Sequence, residues 1–393
     1  MRGAFAGMCA SLVGIGLARF AYTPLIPVLI AAAWFTPGEA AYLGAANLAG
    51  YLAGALLAAR LALQIAPAHL LRAMMVLIGV SFFACAEPWG FAWFTVWRGT
   101  AGFAGGVIMA LAAPVVLAHT PPSRRGRVGG LILTGVGLGV IAAGTLVPAL
   151  LRGGVPATGI GLGVASLVLT ALCWRAWPPA PPPAPVRVTA RSTASWMLAV
   201  QYGFCAVGLV PHMVFLVDFV VRGLGHGLGA GAVFFLIYAA GATAGPLFAG
   251  FMCDRIGFRR TLHLALPVQT LAVGLPLLSV ADISLGLSSF VAGMFTPGIV
   301  SIVLGRAQEI AGGDPVRHRA IWGAATASFA LFQAVAAYGL AYLFSRSSDS
   351  YTPLFAAGVV ALVLASLIGL VPIRQPDPIR QPNGPASAGP PRA

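Results

Sequence analysis

The chain has 393 residues, 59% of them hydrophobic and only 8% charged, with a mean hydropathy of +0.91. Soluble domains carry about 25% charged residues, so a soluble globule is excluded, as is a disordered chain. Five cysteines are too few for a secreted disulfide scaffold, and the net charge of +14, from 23 Arg without a Lys, is spread between apolar runs, not along a soluble stripe, which excludes nucleic acid as a partner. An all-α integral membrane protein remains.

About 20 apolar residues cross a bilayer as a helix. Twelve such runs are predicted, at roughly 4–31, 40–60, 68–86, 89–118, 127–151, 155–175, 195–221, 229–252, 261–281, 284–306, 319–345 and 351–372. One connection stands out, WPPAPPPAPVRVTARSTA from Trp177 to Ala194, too rich in Pro to continue a helix. It divides the chain into an N-terminal six-helix bundle (1–176), a linker (177–194) and a C-terminal six-helix bundle (195–373), followed by a disordered tail (374–393). With both termini cytoplasmic, eighteen Arg fall in inward segments against three (Arg152, Arg222 and Arg346) in outward ones. Both ends, the linker and the tail are therefore placed on the cytoplasmic side, where basic loops meet anionic lipid.

The first span holds Arg19 near mid-membrane. Tyr22 and Thr23, three and four residues on, are predicted to share its face, and Pro24 and Pro27 free backbone carbonyls beyond them. Asn47 and Tyr51 share a face of span two. Span four carries Arg98 with Gly102 and Gly106 at four-residue intervals, a face suited to close helix packing. An Arg cannot shed its charge, and one at the bilayer centre costs at least ~2.5–3.5 kcal/mol. Each therefore needs a carboxylate, helix carbonyls, water or an anionic substrate.

Gln201, Gly208 and His212 share a face of span seven. His212 suits proton transfer or substrate contact, or a neutral ring bonded to a helix carbonyl. Asp218 is the acid well within a span; it suits a proton relay, an outer gate paired with Arg19, or a local pair with Arg222. Two buried cations against this one anion leave a surplus positive charge that would draw an anionic solute. Gln333, Tyr338 and Tyr342 add a polar and aromatic surface to span eleven.

Span eight ends in GFMCDRIGFRR, residues 250–260. Gly257 permits the turn, and Asp254 suits an Arg or a helix N-terminus. The pattern of Gly250, Asp254, Arg255, Gly257, Arg259 and Arg260 resembles the short inner-loop signature of the major facilitator superfamily. The first-half counterpart, GALLAARLALQIAPAHLLR from Gly54 to Arg72, has no acidic residue after Gly54 and Arg60. RGTAGFAGG in span four is similar to the family's Arg-x-x-x-Gly pattern. GVGLGVIAAG in span five is Gly-rich like the family's exchanger motif but lacks its Gly-Pro pair. GIGLARFAYTPLIPVL and AAYLGAANLAGYLAGALLA, in the first two spans, resemble the YbfB/YjiJ branch of the bacterial members.

The resemblance implies the major facilitator fold, with spans 1, 4, 7 and 10 around a central cavity, and the loop motif as a conformational latch. It implies a secondary transporter working by alternating access in the bacterial inner membrane, a monomer that needs no cofactor or metal. The residues expected to touch substrate are Arg19, Tyr22, Arg98, Gln201 and His212. His212 and Asp218 are expected to couple transport to protons or to gate it. The substrate is expected to be a small organic solute, an anionic one on the charge argument. Proton-driven efflux of hydrophobic drugs is the alternative, and a multi-pass enzyme or receptor a remote one. No phosphate-binding loop for ATP occurs.

Overall fold

A computed structural model describes residues 2–121, 125–179, 192–312, 314–347 and 350–371. Most of the Pro-rich linker, and the tail beyond 371, lie outside the described residues.

Among the described residues, eleven helical segments are long and apolar enough to cross a membrane. One of them, Val128–Cys173, runs 46 residues, about 70 Å at ~1.5 Å per residue and twice a hydrocarbon core. It is broken by a 3-10 turn at Leu151–Gly153, after which Gly154 adopts φ +90°, a conformation that favours glycine. Beyond the break Gly159 packs on Ala86 and Gly79 on Leu167, so this second part runs antiparallel to the third span. The described residues thus cross twelve times.

The helices are α1 (Arg2–Ala31), α2 (Pro37–Gln64), α3 (Pro67–Ala84), α4 (Phe91–Leu117), α5 (Arg125–Leu150), α6 (Gly154–Cys173), α7 (Thr193–Gly223), α8 (Leu228–Ile256), α9 (Phe258–Leu278), α10 (Asp282–Ala311), α11 (Pro315–Arg346) and α12 (Thr352–Leu370). Local sequence sets their ends. Pro37 and Pro67 open α2 and α3, where a missing N–H costs nothing. Glu39 is a cap: its carboxylate accepts the Thr36 N–H at 2.9 Å, and its own N–H donates to the Thr36 hydroxyl. An even number of crossings puts both ends of the bundle on one side, the terminal face; the other side is the far face.

Glycine sets the packing within each half. Gly50, Gly54, Gly102 and Gly106 bring α2 and α4 into backbone contact: a Cβ on Gly102 would strike the Asn47 carbonyl, and one on Gly54 that of Phe103. Six spans later the seam recurs. Gly241 and Gly245 of α8 lie against Phe290 and Met294 of α10, and Gly293 against Tyr238. The two halves are thus built by the same device, helices joined through small residues. Gly245→Ala is expected to destabilise the protein by about 1–3 kcal/mol, the cost of overpacking. Gly339→Ala, at a position with open space around it, is expected to be neutral or slightly stabilising. Thermal unfolding in detergent compares the two.

Between the halves, α1 meets α7, α2 meets α11 and α5 meets α8. The touching residues lie in the far half of each helix, apart from Gly137 and Thr243, which meet at mid-depth. Gly38 and Tyr42 near the start of α2 face Ser345 and Tyr338 near the end of α11. Gly44 lies against Val214, Gly144 against Leu236, and Gly137 against Thr243. The halves are closed on each other toward the far face.

Candidate functional site

The two innermost spans both depart from α geometry, and the 3-10 turn of α1 lies level with the first π stretch of α7. α1 widens to a π-helix over Leu12–Phe20 and tightens to a 3-10 turn over Thr23–Leu25. α7 is π-helical over Pro211–Phe215 and again over Phe219–Gly223. Pro24 and Pro211 remove backbone donors here, and π turns gather at functional sites. Side chains take up the displaced carbonyls. The Thr23 hydroxyl donates to the Met213 carbonyl across the two halves at 2.7 Å. Arg98 Nη1 donates to the Ala18 carbonyl at 2.9 Å, and Asn47 Nδ2 donates to the same oxygen at 3.4 Å and to the Arg98 carbonyl at 3.1 Å.

Arg19, the next residue, points the other way, toward the junction of the halves. Its guanidinium lies 4.3 Å from the centroid of the Tyr51 ring, and Nη1 is 3.9 Å from Met213 Sδ. Gln333 Nε2 approaches the same sulfur from α11, also at 3.9 Å, and Gln333 Oε1 is buried without a hydrogen-bond partner. Tyr238 of α8 completes the wall, stacked on Phe235 and 6.1 Å from Phe20. Thr296 Oγ1 spends its one proton on the Ala292 carbonyl, so the Tyr238 hydroxyl, 2.6 Å away, donates to it. Arg19 is half-buried and makes no ion pair among the described residues. The arrangement is a fixed cation on aromatic walls, with an amide carbonyl open beside it.

The other expected contacts are placed elsewhere. Tyr22 is under Arg98, whose guanidinium lies 4.1 Å from its ring centroid, and donates to the Ala40 carbonyl at 2.8 Å. It does not share the face of Arg19, because the π and 3-10 segments rotate the chain between them. Gln201, Gly208 and His212 do share a face, but that face packs on α12: Gln201 Nε2 donates to the Ala365 carbonyl at 3.0 Å, Gly208 lies against Leu362, and His212 is edge-on to Phe355. His212 is fully buried within the C-terminal half. Ser288 Oγ donates its proton to the Ala272 carbonyl at 2.6 Å, so His212 Nε2, 2.7 Å from that oxygen, is the donor. Asp218 is fully buried near the far end of α7; it accepts from the Tyr351 hydroxyl at 2.5 Å and pairs with Arg222 at 3.2 Å. Arg19 is not its partner.

A family profile described as "Uncharacterised MFS-type transporter YbfB" matches residues 11–370. The chain belongs to this family. It is a multi-pass membrane transporter and not an enzyme. Two crystal structures of a bacterial homolog to the human lysosomal transporter Spinster share the fold. The inward-facing, unoccupied form has a TM-score of 0.67 at 14% identity, over 93% of this chain and 95% of that one. The inward-facing, occupied form has a TM-score of 0.69 at 15% identity, over 93% and 94%. A search of curated proteins gives no match.

In this YbfB-type transporter the loop motif caps two helices at the terminal face. Gly257, at φ +84°, is both the end of α8 and the start of α9. Asp254, Arg255, Arg259 and Arg260 are exposed, and Arg255 lies 4.4 Å from the Phe251 ring centroid. Asp254 makes no hydrogen bond or ion pair among the described residues. Tyr238 escaped the sequence reading, although its hydroxyl, with that of Thr243, stands out in an otherwise apolar stretch.

Proposed function

We propose that this carrier moves a small anionic solute by alternating access, with Arg19 as its charge contact, Gln333 as a second polar contact, and Tyr51 and Tyr238 as walls. The observation that carries the reading is Arg19 itself: a permanent cation, half-buried at the junction of the halves, with sulfur and aromatic neighbours and no ion pair among the described residues. A guanidinium matches a carboxylate or phosphate through two parallel hydrogen bonds, and an aromatic wall leaves that fork available. Arg98, Tyr22, Gln201 and His212 act within the halves and set the scaffold.

The Arg distribution supports a cytoplasmic terminal face in a bacterial inner membrane. On that orientation the halves, closed at the far face, are inward-facing. The carrier acts as a monomer and draws its energy from protons. Asp218 is the carboxylate proposed for coupling, because it is fully buried and its protonation would break its pair with Arg222, whereas His212 Nε2 bonds Ser288 within the C-terminal half. Asp218→Asn is expected to abolish uphill accumulation under an imposed proton gradient while downhill exchange continues. His212→Ala is expected to lower thermal stability and leave coupling intact. Accumulation by Asp218→Asn at the wild-type level removes Asp218 from the mechanism.

The substrate reading is tested in proteoliposomes with a panel of radiolabelled organic acids, neutral analogues and hydrophobic cations. Uptake confined to the acids, and lost in Arg19→Ala, supports it. Transport of hydrophobic cations that is indifferent to Arg19→Ala favours drug efflux instead.

A further inference from the structure

The terminal face of the C-terminal half holds a small basic pocket where α7, α9, α10 and α12 meet. It lies among helix ends. Arg259 is the second residue of α9, Arg306 stands five residues before the end of α10, and Gly369 is the last but one of α12. Its inner end is Gln201, eight residues along α7, or about 12 Å at ~1.5 Å per residue. The enclosed space is about 30 Å³, room for two or three water-sized groups. That suits the oxygens of one phosphate group and excludes a sugar or a nucleotide.

Its charges are out of balance. His263, the sixth residue of α9, bonds the Gly369 carbonyl. The N-terminal half makes the same bond at the matching place: Arg72, the sixth residue of α3, donates Nε to the Trp174 carbonyl at the end of α6, at 2.8 Å. The C-terminal half adds two guanidiniums. Arg259 is exposed and makes no hydrogen bond or ion pair among the described residues. Arg306, its side chain 11% exposed, gives Nη1 to Glu309 at 2.8 Å and has no other partner among them. Two permanent cations against one carboxylate leave a surplus positive charge at the helix ends, and guanidinium forks suit phosphate oxygens.

Beside the pocket the outer flanks of α9 and α12 are apolar: Leu264, Val268, Leu367 and Leu370 are exposed along them. A phosphate head with hydrocarbon tails is the ligand whose two parts fit both surfaces, and basic pockets between membrane helices take such headgroups. We infer that this pocket seats the phosphate of an anionic phospholipid from the surrounding leaflet, its acyl chains lying along α9 and α12. The site does not depend on the substrate reading above.

Native mass spectrometry of the full chain in detergent counts bound lipids and gives their dissociation constants. Phosphatidylglycerol is expected to fill one site about tenfold more tightly than phosphatidylcholine, whose choline meets the same cations. Arg259→Gln is expected to weaken that site about tenfold, the loss of one charge-assisted contact. Arg260→Gln removes the same charge from the next residue, which is exposed but does not line the pocket, and is expected to leave the site unchanged. Gly369→Leu fills the pocket: a Cβ there would lie 2.5 Å from Gln201 Nε2 and 3.4 Å from the His263 ring. Binding should be lost with every charge in place, and lipid-free melting checks that the variant is folded. Inorganic phosphate is the second arm. Displacement of the lipid by an equal concentration of phosphate overturns the lipid assignment in favour of a soluble anion. Equal affinity for the two lipids overturns the inference. So does a loss in Arg260→Gln as large as that in Arg259→Gln, or undiminished binding by folded Gly369→Leu.

Discussion

Arg19→Ala is expected to end concentrative uptake and to weaken substrate binding by roughly 10- to 100-fold, the equivalent of losing one charge-assisted contact worth about 1.5–3 kcal/mol. Arg19→Lys keeps the charge but loses the planar fork, so it is expected to raise KM while leaving measurable transport. A structural arginine would also impair transport when removed, so a second readout is needed. The Arg19 charge has no ion pair among the described residues; its neighbours are the Tyr51 ring at 4.3 Å and the Met213 sulfur at 3.9 Å. A charge at mid-membrane costs at least ~2.5 kcal/mol, and a desolvated cation–π contact returns about 2 kcal/mol of that. Removing both terms together is therefore close to neutral. The empty Arg19→Ala protein should melt no lower than wild type, whereas the acidic substrate that raises the wild-type melting temperature should leave the variant unmoved. A transport-dead variant that also melts several degrees lower would mark Arg19 as part of the scaffold.

The twelve spans were legible because hydrocarbon imposes length and apolarity on each of them. The close approach of α2 and α4 was legible because glycines at four-residue spacing can do little else in a membrane helix. Arg19 was legible by cost: a charge in an apolar run must face something. Direction was harder to read. Periodicity shows which residues share a face, and Gln201, Gly208 and His212 do share one, but it is silent on which neighbour that face meets; here it is α12, within the same half. Tyr22 was misplaced for a different reason. The expectation that it joins Arg19 assumed regular α geometry, and the π stretch Leu12–Phe20 with the 3-10 turn Thr23–Leu25 breaks that assumption. The prolines announced an irregularity, but its rotation depends on which carbonyls other helices can satisfy. Asn47 and Arg98 do this for Ala18, from two other spans. The Gly-rich run of span five has two roles that its composition blends. Gly135 and Gly139 seat α5 on α1, while Gly137 and Gly144 face α8 across the junction.

That second face of α5 makes Gly137→Leu a test of the conformational cycle. A Cβ at Gly137 would lie 2.6 Å from Thr243 Oγ1 and 3.0 Å from its Cα, so even the first carbon of a side chain forces α5 from α8. Thr243 cannot swing clear cheaply, since its hydroxyl donates to the Ala239 carbonyl at 2.9 Å. Gly137 and Thr243 meet at mid-depth across the junction, so a parting of α5 from α8 that opens the far face is expected to relieve the clash. Overpacking of this size costs about 1–3 kcal/mol, which shifts a two-state equilibrium by roughly 5- to 150-fold toward the state open at the far face. Thr23 reports the shift, because it is buried in the closed junction and donates to Met213 of the other half. In a Cys85→Ser background, Thr23→Cys should react slowly with a membrane-impermeant maleimide, and adding Gly137→Leu should raise that rate by about the same factor. Transport should fall, since a carrier held in one state cannot cycle. Unchanged labelling together with normal transport would mean that α5 and α8 do not form the contact that closes this face. Gly135→Leu provides the contrast: it meets Met8 within the N-terminal half, so it should lower stability without changing the exposure of residue 23.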